Sequence, residues 1–254
     1  MSKFVDKLQS LSKSATAPIG FHPSASELKS SAMLLIAGLS GTQVKEAKTV
    51  AEANADAGLI MSEDTSAKVV KQMVEAMGNI PVGILVKDMS EEKINELVSA
   101  GCDFAVFDIK VPAAVLHKEG IGKFLMIEPS LDPGFVRAIN SLGVDGVVIS
   151  SRSGEPSVTV EHLLVCRRLV ELLEKPVIMS LPSLVAKAEL TSLWQAGVDG
   201  VVAPSTQSVE ALAELKRMIS ELPRGARGRR TKVDVMLPRY GGVAPEEDEE
   251  QEEI

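Results

Sequence analysis

Eight short apolar runs punctuate the chain between Met33 and Ser205, and each gives way to small or polar residues before a stretch with apolar positions at helical spacing. The runs are Met33–Ala37, Leu59–Met61, Val82–Val86, Phe104–Phe107, Phe124–Ile127, Val147–Ile149, Val177–Met179 and Val201–Ala203. Continuous apolar runs, without in-and-out alternation, fit parallel strands whose outer face is covered by helices. Strand followed by helix, repeated eight times, predicts an α/β fold: a single closed (β/α)8 TIM barrel over residues 27–222.

The segments outside that pattern read differently. Residues 1–26 begin with Phe4, Val5, Leu8 and Leu11 on one helical face, followed by a linker rich in Pro, Gly and Ser. The sticky face predicts packing on the barrel or a homo-oligomer formed through this helix. Residues 223–254 turn basic from Arg224 to Lys232 and almost wholly acidic from Glu246 to Glu253, the composition of a disordered tail.

Within the barrel the strands alternate in kind. Even-numbered strands are approached through Ala57-Gly58, Ala100-Gly101, Leu142-Gly143 and Ala196-Gly197, where glycine is expected to end the preceding helix in a left-handed turn. Gly-Val-Asp-Gly-Val-Val occurs at both 143 and 197, which points to a repeated two-strand unit.

Composition narrows the class. With 45% hydrophobic and 24% charged residues the chain has material for a substantial core, and with 3% aromatics that core must be aliphatic. No apolar run approaches the ~20 residues of a membrane span, and the opening residues lack a secretory pattern, so a cytoplasmic protein is expected. A net charge of −8 argues against a nucleic-acid surface. Cys102 and Cys166 lack neighbouring ligands, and His22, His117 and His162 are scattered, so no metal is expected.

In such a barrel, chemistry sits just past the strands. Extending the period of two beyond strand 4 puts Asp108 and Lys110 on one side, and Lys87 joins them from strand 3. Lys87 and Lys110 are the candidate electrophilic or anion-holding groups, and Asp108 and Glu128 the candidate acid and base. Arg152, Ser153 and Gly154 after strand 6, with Ser205 and Thr206 after strand 8, are candidate anion-binding groups at helix N-termini.

The segment from Lys175-Pro-Val-Ile-Met-Ser to Gly197-Val-Asp-Gly-Val-Val-Ala-Pro-Ser-Thr206 resembles the closing half-turn of phosphate-binding (β/α)8 barrels. That group holds sugar-phosphate isomerases, synthases and lyases and flavin-mononucleotide oxidoreductases. Asp108-Ile109-Lys110 is similar to the Asp-x-Lys element of orotidine-phosphate-type decarboxylases. The group's Gly-Gly after strand 7 and Gly-Thr or Gly-Ser after strand 8 are replaced by Leu181-Pro182-Ser183 and Ala203-Pro204-Ser205, and proline supplies no N–H to a phosphate.

Three readings stay open. The first is an enzyme acting on a small anionic metabolite, of lyase, decarboxylase or isomerase type, without a cofactor. The second is an FMN-dependent oxidoreductase on the same barrel, and the third a non-catalytic binding or scaffold barrel.

Overall fold

The computed structural model describes residues 2–14, 31–62, 65–86, 90–150, 157–205 and 207–223. Eight parallel strands close in chain order: β1 (Leu34–Leu39), β2 (Ala57–Ile60), β3 (Val82–Val86), β4 (Phe104–Phe107), β5 (Gly122–Ile127), β6 (Gly146–Ile149), β7 (Val177–Ser180) and β8 (Gly200–Ala203). Closure is made by β1, where Leu35 pairs with Val201 on one side and Ile36 with Ala57 on the other. The helices are α1 (Lys3–Ser14), α2 (Val44–Glu52), α3 (Ala67–Met77), α4 (Glu91–Ser99), α5 (Pro133–Ala138), α6 (Val160–Leu172), α7 (Lys187–Gln195) and α8 (Val209–Ser220). Strand–helix alternation fails once: Pro112 and Gly120 bracket the connection after β4, leaving one 3-10 stretch, Ala113–His117.

Side chains sort into two layers. Leu34, Ile36, Leu59, Val106, Val148, Ile178 and Val202 fill the barrel interior, while Ile84, Ala105, Phe107, Leu125, Val147 and Val201 pack outward against the helices. Both faces of each strand are thus dry, which is why the runs read as continuously apolar.

Three phenylalanines meet at the floor of the barrel, the N-terminal end of its strands. Phe4 of α1 stacks on Phe104 with centroids 4.4 Å apart and tilts against Phe124 at 5.3 Å. Glycines make the room: a Cβ on Gly83 would lie 2.2 Å from the Phe104 ring and one on Gly146 2.7 Å from that of Phe124. Leu8 and Leu11 are buried with Phe4, so the apolar face of α1 is spent inside its own barrel. Of the two destinations expected for this face, the barrel is the one that it takes here.

Asp103 fixes the plug from the other side. Its carboxylate accepts from the Ser2 hydroxyl (2.7 Å) and from the backbone N–H groups of Lys3 (2.8 Å) and Phe4 (3.0 Å), capping the helix where its dipole is positive. Three other aspartates occupy the same place before even strands. Asp56, Asp145 and Asp199 accept from the N–H of Leu35, Lys123 and Val177, and each donates its own N–H to the carbonyl of that same residue. Asp103 N–H likewise donates to the Val82 carbonyl, but its carboxylate is diverted to α1. The two-strand repeat therefore has a physical basis: an aspartate before each even strand, three of them clamping the preceding strand and the fourth holding α1. Replacing the buried Asp199 by Ala strands the N–H of Val177, and chemical denaturation should show a loss of about 1–3 kcal/mol.

The expected glycine turns hold at two of four places. Gly101 (φ 86°) and Gly197 (φ 95°) are left-handed; before β2 that role falls to Asn54 (φ 54°), and Gly58 lies within the strand, where a Cβ would meet Met77 at 2.8 Å. Gly143 follows a 3-10 turn whose end at Leu142 is already extended, and it has no positive φ.

Candidate functional site at the barrel mouth

Strands β3 to β6 enclose a cavity of 480 Å³ at their C-terminal ends, within the usual size of a small-molecule site. Its floor is Leu85 of β3 and Met126 of β5, half-buried side chains that lie above the sealed interior layer. Ser150, immediately after β6, forms the far edge. Asp108, Lys110 and Glu128, three of the residues singled out in the sequence, all line it.

Their placement differs from the expected one in a specific way. β4 ends at Phe107, and residues 108–110 form a turn, so strand alternation does not orient Asp108 and Lys110. The turn is closed by Asp108 itself, whose Oδ1 accepts from the Lys110 N–H at 2.7 Å. Glu128 follows Ile127, the last residue of β5, and the loop carrying it is tied down on both sides. Leu131 N–H donates to the Glu128 carbonyl (3.1 Å), and Arg168 of α6 donates to the Pro129 carbonyl at 2.6 Å. Asp132 then caps α5 by accepting from Gly134 N–H at 2.7 Å.

Two of the charged groups in this cavity are thus committed to the backbone, and two are not. Among the described residues, no donor pairs with the Glu128 carboxylate and no acceptor with the Lys110 ammonium. One acceptor and one donor left over in a concave, largely apolar site are what ligand binding or proton transfer requires.

The remaining expected residues fall elsewhere. Lys87, Arg152, Ser153, Gly154 and Thr206 lie outside the described residues. Ser205 does not line this cavity. It stands at the exit of β8 against β1, packed so closely that a Cβ on Gly38 would come within 2.5 Å of the Ala203 carbonyl and 3.0 Å of Ser205 N.

Sequence reasoning missed Phe135 and Arg168. Phe135 is 70% exposed on α5 and walls the cavity together with Ile109, which is 62% exposed. Its signal was available: an aromatic residue in an aromatic-poor chain, two positions into a helix announced by Asp132-Pro133. Arg168 gave no signal, because its role depends on α6 passing beside the β5 loop.

The cysteines are not nucleophiles. Both are buried and unbridged, and burial pushes each thiol up from 9.0 to about 12. A thiol-reactive dye at pH 8 should label neither until the protein unfolds. Because folding holds these protons, their effect on stability is nil below pH 9.0 and turns unfavourable as the pH rises toward about 12. Among the described residues no group of three or more His, Cys, Asp or Glu is placed to hold a metal, and no helix is long and apolar enough to cross a membrane.

No family model matches the chain, and no curated protein matches it in sequence. Solved structures do. A substituted tryptophan synthase α-subunit from Pyrococcus furiosus superposes with a TM-score of 0.58 at 15% identity, over 76% of this chain and 98% of that one. Tryptophan synthase from Mycobacterium tuberculosis gives 0.60 at 13%, over 86% and 97%. The α2β2 complex of the Pyrococcus furiosus enzyme gives 0.54 at 13%, over 76% and 98%. What is shared at this identity is the barrel.

Proposed function

We propose that this barrel is an enzyme of lyase or isomerase type acting on a small anionic metabolite held in the cavity between β3 and β6. The observation that carries the reading is the pair of uncommitted charges, Glu128 and Lys110, at the C-terminal end of a barrel sheet.

In this reading Lys110 holds the anionic end of the substrate, or the negative charge that develops on an adjacent oxygen during reaction. Glu128 removes a proton from carbon or hydroxyl and returns it, being among the described lining residues the carboxylate that is not already engaged. Asp108 shapes the turn that presents Lys110 and is the second carboxylate of the site. Lys87 and Arg152, which follow the strands ending in Val86 and Ile149, are the further cations for the anionic end.

Proton NMR in D2O tests this directly. The protein is incubated with a panel of small carboxylates and phosphates bearing a C–H next to a carbonyl. The expected result is protein-dependent exchange of that proton for deuterium in at least one compound, abolished by Glu128→Gln. Exchange that proceeds equally well in the variant overturns the assignment, as does a panel with no exchange at all.

A further inference from the structure

Resting on that reading of the site, we infer that its ligand is a monoanionic carboxylate carrying a flat apolar body, and not a phosphate. Two independent features of the cavity lead there.

The first is the wall. Phe135 and Ile109 are among the most exposed large apolar residues of the described chain, yet both face the same cavity as Glu128 and Lys110. Leu131, Leu85 and Met126 continue that apolar surface down to the floor. Apolar surface kept exposed at a concave site is ordinarily covered when the site is filled. An aromatic ring on the wall favours a planar partner, since offset stacking or edge contact adds to the area covered. A short sugar phosphate would leave Phe135 and Ile109 in water.

The second is the charge. Among the described residues lining the cavity, Asp108, Glu128 and Asp132 face one cation, Lys110, a formal sum of −2. Among the described residues that lining holds one ammonium, which matches one carboxylate and leaves no second cation for a dianion. Among the described residues on the opposite side of the mouth, Pro182 and Pro204 follow β7 and β8 without N–H groups, and the exit of β8 is packed on Gly38. Glu128, uncommitted, then meets the reacting end of the ligand beside its carboxylate.

The test is equilibrium binding of four probes to the full chain by titration calorimetry: 2-naphthoate, cyclohexanecarboxylate, 1-naphthyl phosphate and inorganic phosphate. The expected order places 2-naphthoate about tenfold or more tighter than each of the others, equivalent to about 1.4 kcal/mol. Phe135→Ala should remove most of that advantage over cyclohexanecarboxylate. Phe135→Tyr should retain it, and since Phe135 is exposed both variants should fold. Lys110→Met should weaken both carboxylates alike.

Tighter binding of 1-naphthyl phosphate than of 2-naphthoate overturns the inference, and so does indifference of 2-naphthoate to Phe135→Ala or the absence of binding by any probe. The proposed reaction class is judged separately. If Glu128→Gln abolishes deuterium exchange while Phe135→Ala leaves naphthoate binding unmoved, the enzyme reading stands and the substrate class falls. If naphthoate binds as expected but exchange survives in Glu128→Gln, the reverse holds.

Discussion

Replacing Phe4 by Ala should lower the stability of the whole barrel by about 3–5 kcal/mol, although the residue belongs to a helix outside the eightfold repeat. The ring is fully buried between Phe104 and Phe124. Its removal leaves a void beside the Phe104 and Phe124 rings, which are themselves seated against Gly83 and Gly146. Lost burial, lost ring contacts and the residual cavity all act in one direction. For a chain of this size each kcal/mol moves the melting temperature by roughly 2–4 °C, so a drop of about 10 °C is expected in calorimetry. A shift under about 2 °C would mean that α1 rests on the floor without sealing it. Phe4→Leu, which keeps most of the apolar volume, should cost a fraction of the alanine change.

Glu128→Gln carries the other large effect, and it should fall on turnover with stability untouched. The side chain is exposed and unpaired among the described residues, so the amide replaces the carboxylate without leaving a buried group stranded. The position of the loop is set by the Arg168 contact to the Pro129 carbonyl, which the substitution does not alter. What disappears is the ability to accept a proton. A positioned acid–base group ordinarily contributes about 10²- to 10⁴-fold, and the deuterium-exchange rate should fall within that range while ligand affinity changes little. Loss of affinity with an unchanged rate at saturation would make Glu128 a binding residue instead.

How much of this was legible in the sequence depends on whether the signal was local. The strands were legible because burial on both faces makes Val82–Val86 or Phe104–Phe107 apolar at every position. The amphipathic face of α1 was legible too, but its destination was not, since Phe104, Phe124 and Asp103 stand about a hundred residues away. The Gly-Val-Asp-Gly repeat marked the even strands correctly. That Asp145 and Asp199 each accept from the N–H of one residue of the preceding strand and donate to the carbonyl of that same residue required the register.

The site shows the same division. Position after a strand was enough to bring Asp108, Lys110 and Glu128 together, because the barrel gathers all such segments at one end. The anion-binding candidates pointed to a second side of the mouth. The resemblance over 175–206 drew attention to β7 and β8, whereas the cavity opens over β3 to β6. Strand periodicity carried past Phe107 also misjudged how Lys110 is presented, since the Asp108 side chain captures the next turn before the strand can continue.

One measurement bears most directly on the central claim that this cavity is the binding site. Met126 reaches it from β5, while Met73, Met77 and Met179 are buried in the layer between strands and helices. Carbon-13 methyl spectra of methionine-labelled protein are recorded while 2-naphthoate is titrated, with Met126→Leu fixing the assignment. The expected result is a saturable shift of the Met126 methyl with Met73, Met77 and Met179 unmoved. A ligand that binds and shifts other methionines while Met126 stays still, or one that shifts none, would contradict the placement of the site between β3 and β6.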